Sequence, residues 1–248
     1  MRVSLLDDQR AVLFVHAHPD DETISTGALI AEYVARGSEV YLVTCSRGER
    51  GEIVPGPLTA LAGTGRLARE RERELARATR ILGVTERFWL GDPPARVPGL
   101  APRRYRDSGM VWIRPGLAGP ASDAAEDALS VAALAEVVND LVALIAVLRP
   151  SLVVSYDNGG GYGHPDHVRA HDAAVAASRA TRTPFAEVVE TRQAGAEWFD
   201  LPEHLPLVTD ALRAHASQLT VHGTDIVHSG GQREAISTSA GLRLLAPA

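Results

Sequence analysis

The chain has 248 residues, a formal net charge of -6 and 45% hydrophobic residues. This composition is typical of an acidic globular protein and lacks the basic surface that nucleic acid or an anionic membrane requires, so we expect neither as a partner. Cys45 is the only cysteine, which excludes an intrachain disulfide and leaves His, Asp and Glu as metal ligands. Since the chain has neither a signal pattern nor an apolar run of about 20 residues, we predict a cytoplasmic protein.

The first predicted strand, residues 11–15, stops abruptly in the sequence His16-Ala17-His18-Pro19-Asp20-Asp21-Glu22. Its β-branched and aromatic residues indicate a buried strand. A helix follows, with Thr23 or Ser25 as its cap and Gly37 at its end. Ligands of open α/β sheets collect at the carboxyl ends of the strands, so His18 and the acids are candidate site residues.

The rest of the chain alternates strands and helices up to about residue 180. We predict strands at 40–45, 87–90 and 152–156, helices at 68–82, 131–148 and 168–180, and polar or Pro/Gly-rich loops at 46–52 and 91–127. Beyond residue 180 the pattern weakens to a helix at 211–219 and a tail of one short strand and loops. Strand-helix-strand repeats predict an α/β fold with a doubly wound, mainly parallel, Rossmann-like sheet and helices on both faces. We predict one domain, 1–248, with a core at about 10–180 and a small C-terminal extension at about 181–248.

A second histidine cluster, Tyr162-Gly163-His164-Pro165-Asp166-His167, follows the predicted strand at 152–156. A lone His-Pro-Asp sequence is typical of a turn with a helix-capping aspartate. Two such sequences, each after a strand, instead indicate one shared site.

Two histidines and one carboxylate are a common ligand set for catalytic zinc, and His18, Asp21 and His167 would supply it. A neighbouring carboxylate that is not a ligand can take the proton of the attacking water, and Asp20 is the natural candidate. Spacing alone does not decide which of Asp20 and Asp21 has which role.

Three further residues have more than one interpretation. His171 lies four residues after His167 and is the main rival ligand, because histidines at that helical spacing can share a metal. His16 is interpreted as a packed residue or a partner of the ligands. Glu22 is a third ligand, a hydrogen-bonding partner of a ligand, or a favourable charge in the first helical turn.

The sequences from Ala17 to Glu22 and from His164 to His167 together resemble the LmbE/PIG-L family of zinc-dependent N-acetylglucosamine deacetylases. The segment 214–218, Ala-His-Ala-Ser-Gln, resembles a further motif near the end of family members. The mycothiol-pathway branch is the most similar, through the loop 48–52, Arg71, the segment 106–110 and the run 158–166.

The resemblance implies a role for each matching residue. His18, Asp21 and His167 would bind zinc, one ion per chain, and Asp20 would be the general base. His164 would stabilise the oxyanion or protonate the leaving amine, Asp166 would orient its ring, and Tyr162 would polarise the amide carbonyl. Arg71 and Asp107 would hold sugar hydroxyls.

The sequence therefore predicts a hydrolase that removes the acetyl group of an N-acetylglucosamine glycoside, a small-molecule sugar. A short link around Trp198 stands where we expect a longer insertion in the mycothiol enzymes, so an amidase of mycothiol conjugates and a deacetylase of a glycosylated natural product stay open. A non-catalytic sugar-binding protein is a weaker alternative. Magnesium-dependent phosphoryl transfer is disfavoured, because magnesium rarely binds histidine and the chain has no phosphate loop. The site would also accept Fe²⁺ or another divalent ion, and the sequence leaves a homo-oligomer open.

Overall fold

The computed structural model describes residues 4–246, which form twelve strands and six helices besides two short 3-10 turns. The strands are β1 (Ala11–His16), β2 (Glu39–Thr44), β3 (Glu86–Trp89), β4 (Met110–Arg114), β5 (Leu117–Pro120), β6 (Leu152–Ser155), β7 (Phe185–Val189), β8 (Glu197–Asp200), β9 (Leu219–His222), β10 (Asp225–His228), β11 (Arg233–Ala235) and β12 (Ser239–Leu244). The helices are α1 (Asp21–Ala35), α2 (Arg66–Leu82), α3 (Leu134–Leu148), α4 (Gly160–Gly163), α5 (Pro165–Thr181) and α6 (Leu205–Leu212).

Seven strands form the central sheet in the order β3-β2-β1-β6-β7-β12-β8. The first five are parallel, and β12 runs antiparallel to both β7 and β8. The predicted fold class, a doubly wound and mainly parallel sheet, is confirmed. The division into a core and a C-terminal extension stays a prediction.

Helices cover both faces of this sheet, because alternate side chains of its strands point to opposite sides. Val12 and Phe14 of β1 lie in a core shared with α1, α2 and α6. Leu13 and Val15 lie in a second core shared with α3 and α5. All four side chains are fully buried, which explains why β1 is an uninterrupted apolar run.

The strand order reverses beside β1, which pairs with β2 on one side and with β6 on the other. Val12 of β1 is in register with Leu152 of β6, so the two parallel strands end at the same edge. Crevices at such reversals are the usual ligand sites of open α/β sheets. The two His-Pro-Asp segments leave the sheet at this crevice.

The structure differs from the sequence prediction in four segments. Asp20, not Thr23 or Ser25, is the N-cap of α1. The loop predicted at 91–127 contains the hairpin of β4 and β5.

The helix predicted at 211–219 is wrong in position, because α6 ends at Leu212 and β9 begins at Leu219. Buried polar contacts from the segment between them, described below, replace further helical turns. The tail has four strands instead of one, and its last two residues lie outside the described part of the chain. Within residues 4–246, no helix has both the length and the apolar character needed to cross a membrane.

Candidate active site

Asp21 lies at the centre of the candidate site, at the first position of α1. Its Oδ2 accepts hydrogen bonds from the His18 backbone N–H at 2.8 Å and the Tyr156 hydroxyl at 2.6 Å. The Tyr156 oxygen in turn accepts the Ala17 backbone N–H at 2.8 Å. These contacts fix the carboxylate between β1 and β6.

One nitrogen of the His18 ring is hydrogen-bonded to Asp166, and the other faces Asp21. Nε2 donates to Asp166 Oδ2 at 3.1 Å, which leaves the lone pair on Nδ1. Nδ1 lies 3.4 Å from Asp21 Oδ2. A histidine that binds a metal usually donates its other ring N–H to a carboxylate or carbonyl in this way.

His167 repeats the same arrangement from the other strand end. Its Nδ1 donates to the Gly160 carbonyl at 3.2 Å, and its ring stacks on Tyr156 at 4.2 Å between centroids. Its Nε2 is buried, makes no hydrogen bond within the described residues, and lies 3.4 Å from Asp21 Oδ1. A cation between this lone pair and the carboxylate oxygen would satisfy both.

The spacing of these donors fits a divalent metal. Two ligand atoms that each lie about 2.1 Å from a tetrahedral zinc are about 3.4 Å apart. Burial opposes protonation of His18, but the hydrogen bonds to Asp166 and Asp21 outweigh it and raise its pKa. The negative surroundings that stabilise a proton there would also stabilise a metal ion.

His164 lies close to this set but presents a different group. A ring nitrogen of His164 lies within 4.8 Å of nitrogens of His18 and His167. However, His164 is the N-cap of α5, and its Nδ1 accepts the Asp166 backbone N–H at 3.1 Å. Burial and the neighbouring histidines lower its pKa to about 2, so the neutral ring carries its proton on Nε2. In this tautomer the Nε2–H of His164 is a hydrogen-bond donor, and its role at the site stays a prediction.

Asp20 occupies an unusual backbone conformation, with φ 106° and ψ -31°. Burial raises the pKa of its carboxyl to about 7, with a contribution from the charge of Asp21. Such a carboxyl is suited to take a proton near neutral pH. The pKa of Asp20 thus differs from that of an ordinary aspartate, and which of the two acids is the base stays a prediction.

The Asp166 carboxylate lies away from the position that the resemblance implies. It accepts hydrogen bonds from His18 Nε2 and from the Ser108 backbone N–H and hydroxyl, the latter two at 2.9 and 2.5 Å. Burial opposes its ionisation, but these bonds outweigh it and lower its pKa. Only the backbone N–H of Asp166 bonds to His164, so its side chain orients His18 instead.

The candidate sugar-binding residues lie beside the site in loop contacts. Arg71 is buried, and its guanidinium donates to the carbonyls of Gly48 and Glu52, the latter at 2.7 Å. Asp107 Oδ1 lies 3.8 Å from His18 Nε2 and accepts the Gly109 N–H at 2.8 Å. Their role toward a sugar stays a prediction.

Three other candidates occupy separate positions. His171 points away from the site, since its Nε2 bonds to Glu187 at 2.9 Å. His16 is buried and bonds to Thr26 through Nε2 at 3.0 Å. Tyr162 is 38% exposed, and its ring centroid lies 5.2 Å from that of His167.

Sequence reasoning missed Tyr156 and Ser108 as site residues. Tyr156 is the last residue of the strand predicted at 152–156 and lies one residue beyond β6, and only this position at the strand end signals a role at the edge. Ser108 lies in the segment 106–110, whose resemblance to the mycothiol enzymes was the available signal.

The fold and the site define an α/β protein in which two histidines and an aspartate that could hold a metal ion meet at a sheet crevice. The family profile described as PIG-L, GlcNAc-PI de-N-acetylase, matches residues 13–178. That match covers more than half of the chain, so the chain belongs to the PIG-L family.

Several relatives carry the name 1D-myo-inositol 2-acetamido-2-deoxy-alpha-D-glucopyranoside deacetylase. The one from Kineococcus radiotolerans is 46% identical over 172 residues, covering 69% of this chain and 45% of the relative. The one from Actinosynnema mirum is 40% identical over 245 residues, covering 85% of this chain and 81% of the relative. The chain spans about half the length of several such relatives.

Solved structures confirm the fold. The N,N'-diacetylchitobiose deacetylase from Pyrococcus horikoshii is similar with a TM-score of 0.59 and 22% identity, covering 85% of this chain and 71% of that protein.

Proposed function

We propose that this protein hydrolyses the acetamide of an N-acetylglucosamine glycoside, releasing acetate and a free amine. One observation carries the proposal: the free nitrogens of His18 and His167 both face Asp21 at 3.4 Å, and Asp20 directly precedes Asp21 in the chain. Membership of the PIG-L family and the names of the relatives support the substrate class.

His18, Asp21 and His167 would hold the metal, for which we propose zinc. When bound, a zinc ion polarises the amide carbonyl and lowers the pKa of water. Fe²⁺ is the alternative, since imidazole and carboxylate ligands suit several divalent ions. Metal analysis of the purified protein, followed by chelation and reconstitution with each ion, tests this assignment. Restoration of activity by magnesium alone would contradict it.

The residues around the metal set divide the proton transfers. Asp20, with a pKa near 7, takes the proton of the attacking water. The Nε2–H of His164 donates a hydrogen bond to the oxyanion, and Tyr162 adds a second donor from the exposed side. Asp20 returns the proton that it took from water to the departing amine nitrogen. Asp166 keeps the His18 ring in the tautomer that leaves Nδ1 free.

We propose that the glucosamine hydroxyls bind Arg71 and Asp107, and that the glycoside partner is an inositol-like polyol. Acetate release from N-acetylglucosaminyl-inositol should exceed cleavage of a mycothiol S-conjugate. The reverse ranking would favour the amidase alternative. Faster deacetylation of a glycosylated natural product would favour the other alternative, a deacetylase of such compounds. Cytoplasmic location and homo-oligomerisation stay predictions of the sequence.

A further inference from the structure

The segment 214–218 lies outside the residues matched by the family profile, yet it reaches the loop that carries the proposed base. His215 and Ser217 are fully buried, and Gln218 is 7% exposed. The sequence indicated a motif here without a function. Its hydrogen bonds connect two helices to the backbone of Asp20.

The backbone of Asp20 needs external support. Its φ of 106° lies outside the regions that non-glycine residues favour, and such conformations persist only where the surrounding structure holds them. Its carbonyl accepts the N–H groups of Thr23 and Ile24, as expected of a helix N-cap. Its own N–H donates to Glu22 Oε2 at 3.0 Å. The Glu22 carboxylate therefore closes the turn that aims the Asp20 side chain.

Glu22 is itself fixed on its other oxygen. The side chain is fully buried, and Oε1 accepts hydrogen bonds from His215 Nε2 at 3.1 Å and Thr23 Oγ1 at 2.5 Å. Burial of such a pair is weak evidence for a stabilising role, because desolvation offsets most of the Coulomb attraction. The Glu22–His215 pair instead specifies a geometry, because Glu22 also accepts the backbone N–H of Asp20.

The segment that contains His215 is fixed by hydrogen bonds of Gln218 and Ser217, and the bonds of Ser217 join it to α2. Gln218 Nε2 donates to His215 Nδ1 at 3.2 Å, which leaves the ring proton on Nε2 for Glu22. Ser217 donates its N–H and its hydroxyl to Glu74, each at 2.7 Å. Glu74 lies on α2 one turn after Arg71, so the network joins the proposed sugar-binding helix to the base.

We propose that Glu22 and His215 are positioning residues, which hold Asp20 at the geometry in which its carboxylate meets the attacking water. The inference rests on the proposed function, because it assumes that Asp20 is the base. Neither residue is assigned to the metal or to the substrate.

The same helix provides a matched control. Glu32 Oε2 of α1 accepts a hydrogen bond from His204 Nε2 at 2.8 Å, just before α6. This second Glu-His pair joins the same two parts of the fold, but it lies about 15 Å further along α1. Substitution of Glu32 or His204 therefore breaks a Glu-His hydrogen bond of α1 without a change near Asp20.

The experiment compares Glu22→Ala, Glu22→Gln, His215→Gln, Glu32→Ala and His204→Ala. Each variant is assayed for kcat and KM on N-acetylglucosaminyl-inositol, and for bound zinc per chain and melting temperature. For Glu22→Ala we expect kcat to fall about 10²-fold, within the range for loss of a general base, with KM and zinc unchanged. Glu22→Gln should recover at least tenfold, because its carbonyl can still accept the Asp20 N–H. The Glu32 and His204 variants should stay within twofold of the wild-type kcat.

Three results would overturn the inference. The first is a Glu22→Ala kcat within twofold of wild type, and the second is an equal fall in Glu32→Ala. The third is loss of zinc in step with activity, which would move Glu22 to the metal. If Glu22→Ala does not fold, His215→Gln carries the test with the same criteria. A wild-type protein without deacetylase activity would contradict the proposed function instead, and the Asp20 φ angle in a crystal structure of Glu22→Gln would then still test the positioning.

Discussion

The two His-Pro-Asp segments have the same sequence, follow neighbouring parallel strands and meet in one crevice, yet corresponding residues have opposite roles. After β1, the histidine is a metal-ligand candidate and the aspartate is the N-cap of α1. After β6, the histidine is the N-cap of α5, and the aspartate lies inside the helix. The position at which the helix begins therefore decides which side chain points into the site.

The environments of the two aspartates differ just as much. Asp20 has a pKa raised to about 7 by burial and the adjacent Asp21 charge. Hydrogen bonds from His18 and Ser108 overcome burial and lower the pKa of Asp166. The Asp20 carboxylate is therefore suited to accept a proton near neutral pH, whereas the Asp166 carboxylate is hydrogen-bonded and orients the His18 ring.

Replacement of Asp20 by asparagine should have the largest effect. Because the base is lost and the ligands are not, kcat should fall about 10²- to 10⁴-fold with zinc retained. Single-turnover assays and metal analysis check this. Loss of zinc with residual activity would mean that Asp20 and Asp21 have exchanged roles.

His164→Gln should have the next largest effect, with kcat lowered about 10²-fold through loss of the hydrogen-bond donor to the oxyanion. The N-cap contact to Asp166 would also weaken, at a cost of about 1 kcal/mol in the free energy of unfolding. Kinetics and urea denaturation measure the two effects separately. A loss of zinc as complete as that in His167→Ala would instead make His164 a ligand.

Asp166→Asn should lower the affinity for zinc and leave the proton-transfer steps unchanged. Without the charged acceptor at His18 Nε2, zinc affinity should fall about 10- to 100-fold, while kcat at saturating zinc stays near wild type. A zinc titration with a competing chelator measures the affinity. If kcat falls without a change in affinity, Asp166 acts through His164, as the resemblance implies.

His171→Ala should have the smallest effect on the site. Its ring bonds to Glu187 and not to the ligand set, so bound zinc should be unchanged. Removal of this partner of a buried carboxylate should lower the free energy of unfolding by about 1–3 kcal/mol. Stoichiometric loss of zinc would show that the helical pair His167 and His171 holds the metal.

The sheet crevice was predictable because apolar periodicity places β1 and β6, and parallel neighbours end at one edge. The roles predicted for Asp20 and Asp21 came from the family resemblance and not from spacing, because no local pattern encodes the positive φ angle of Asp20. Tyr156 and Ser108 were missed for a similar reason, because each acts through a long-range hydrogen bond. The helix predicted at 211–219 was wrong because Ser217 forms hydrogen bonds with Glu74 of α2, a tertiary contact that the local sequence pattern does not show.

The placement of β12 between β7 and β8 has a consequence for synthesis of the protein. β7 leaves the ribosome well before β12, so its edge has no antiparallel neighbour while the chain is still growing. Exposed strand edges recruit other strands, including those of nearby nascent chains. The central sheet is complete only after translation has passed β12, and until then the edge of β7 is open to other strands.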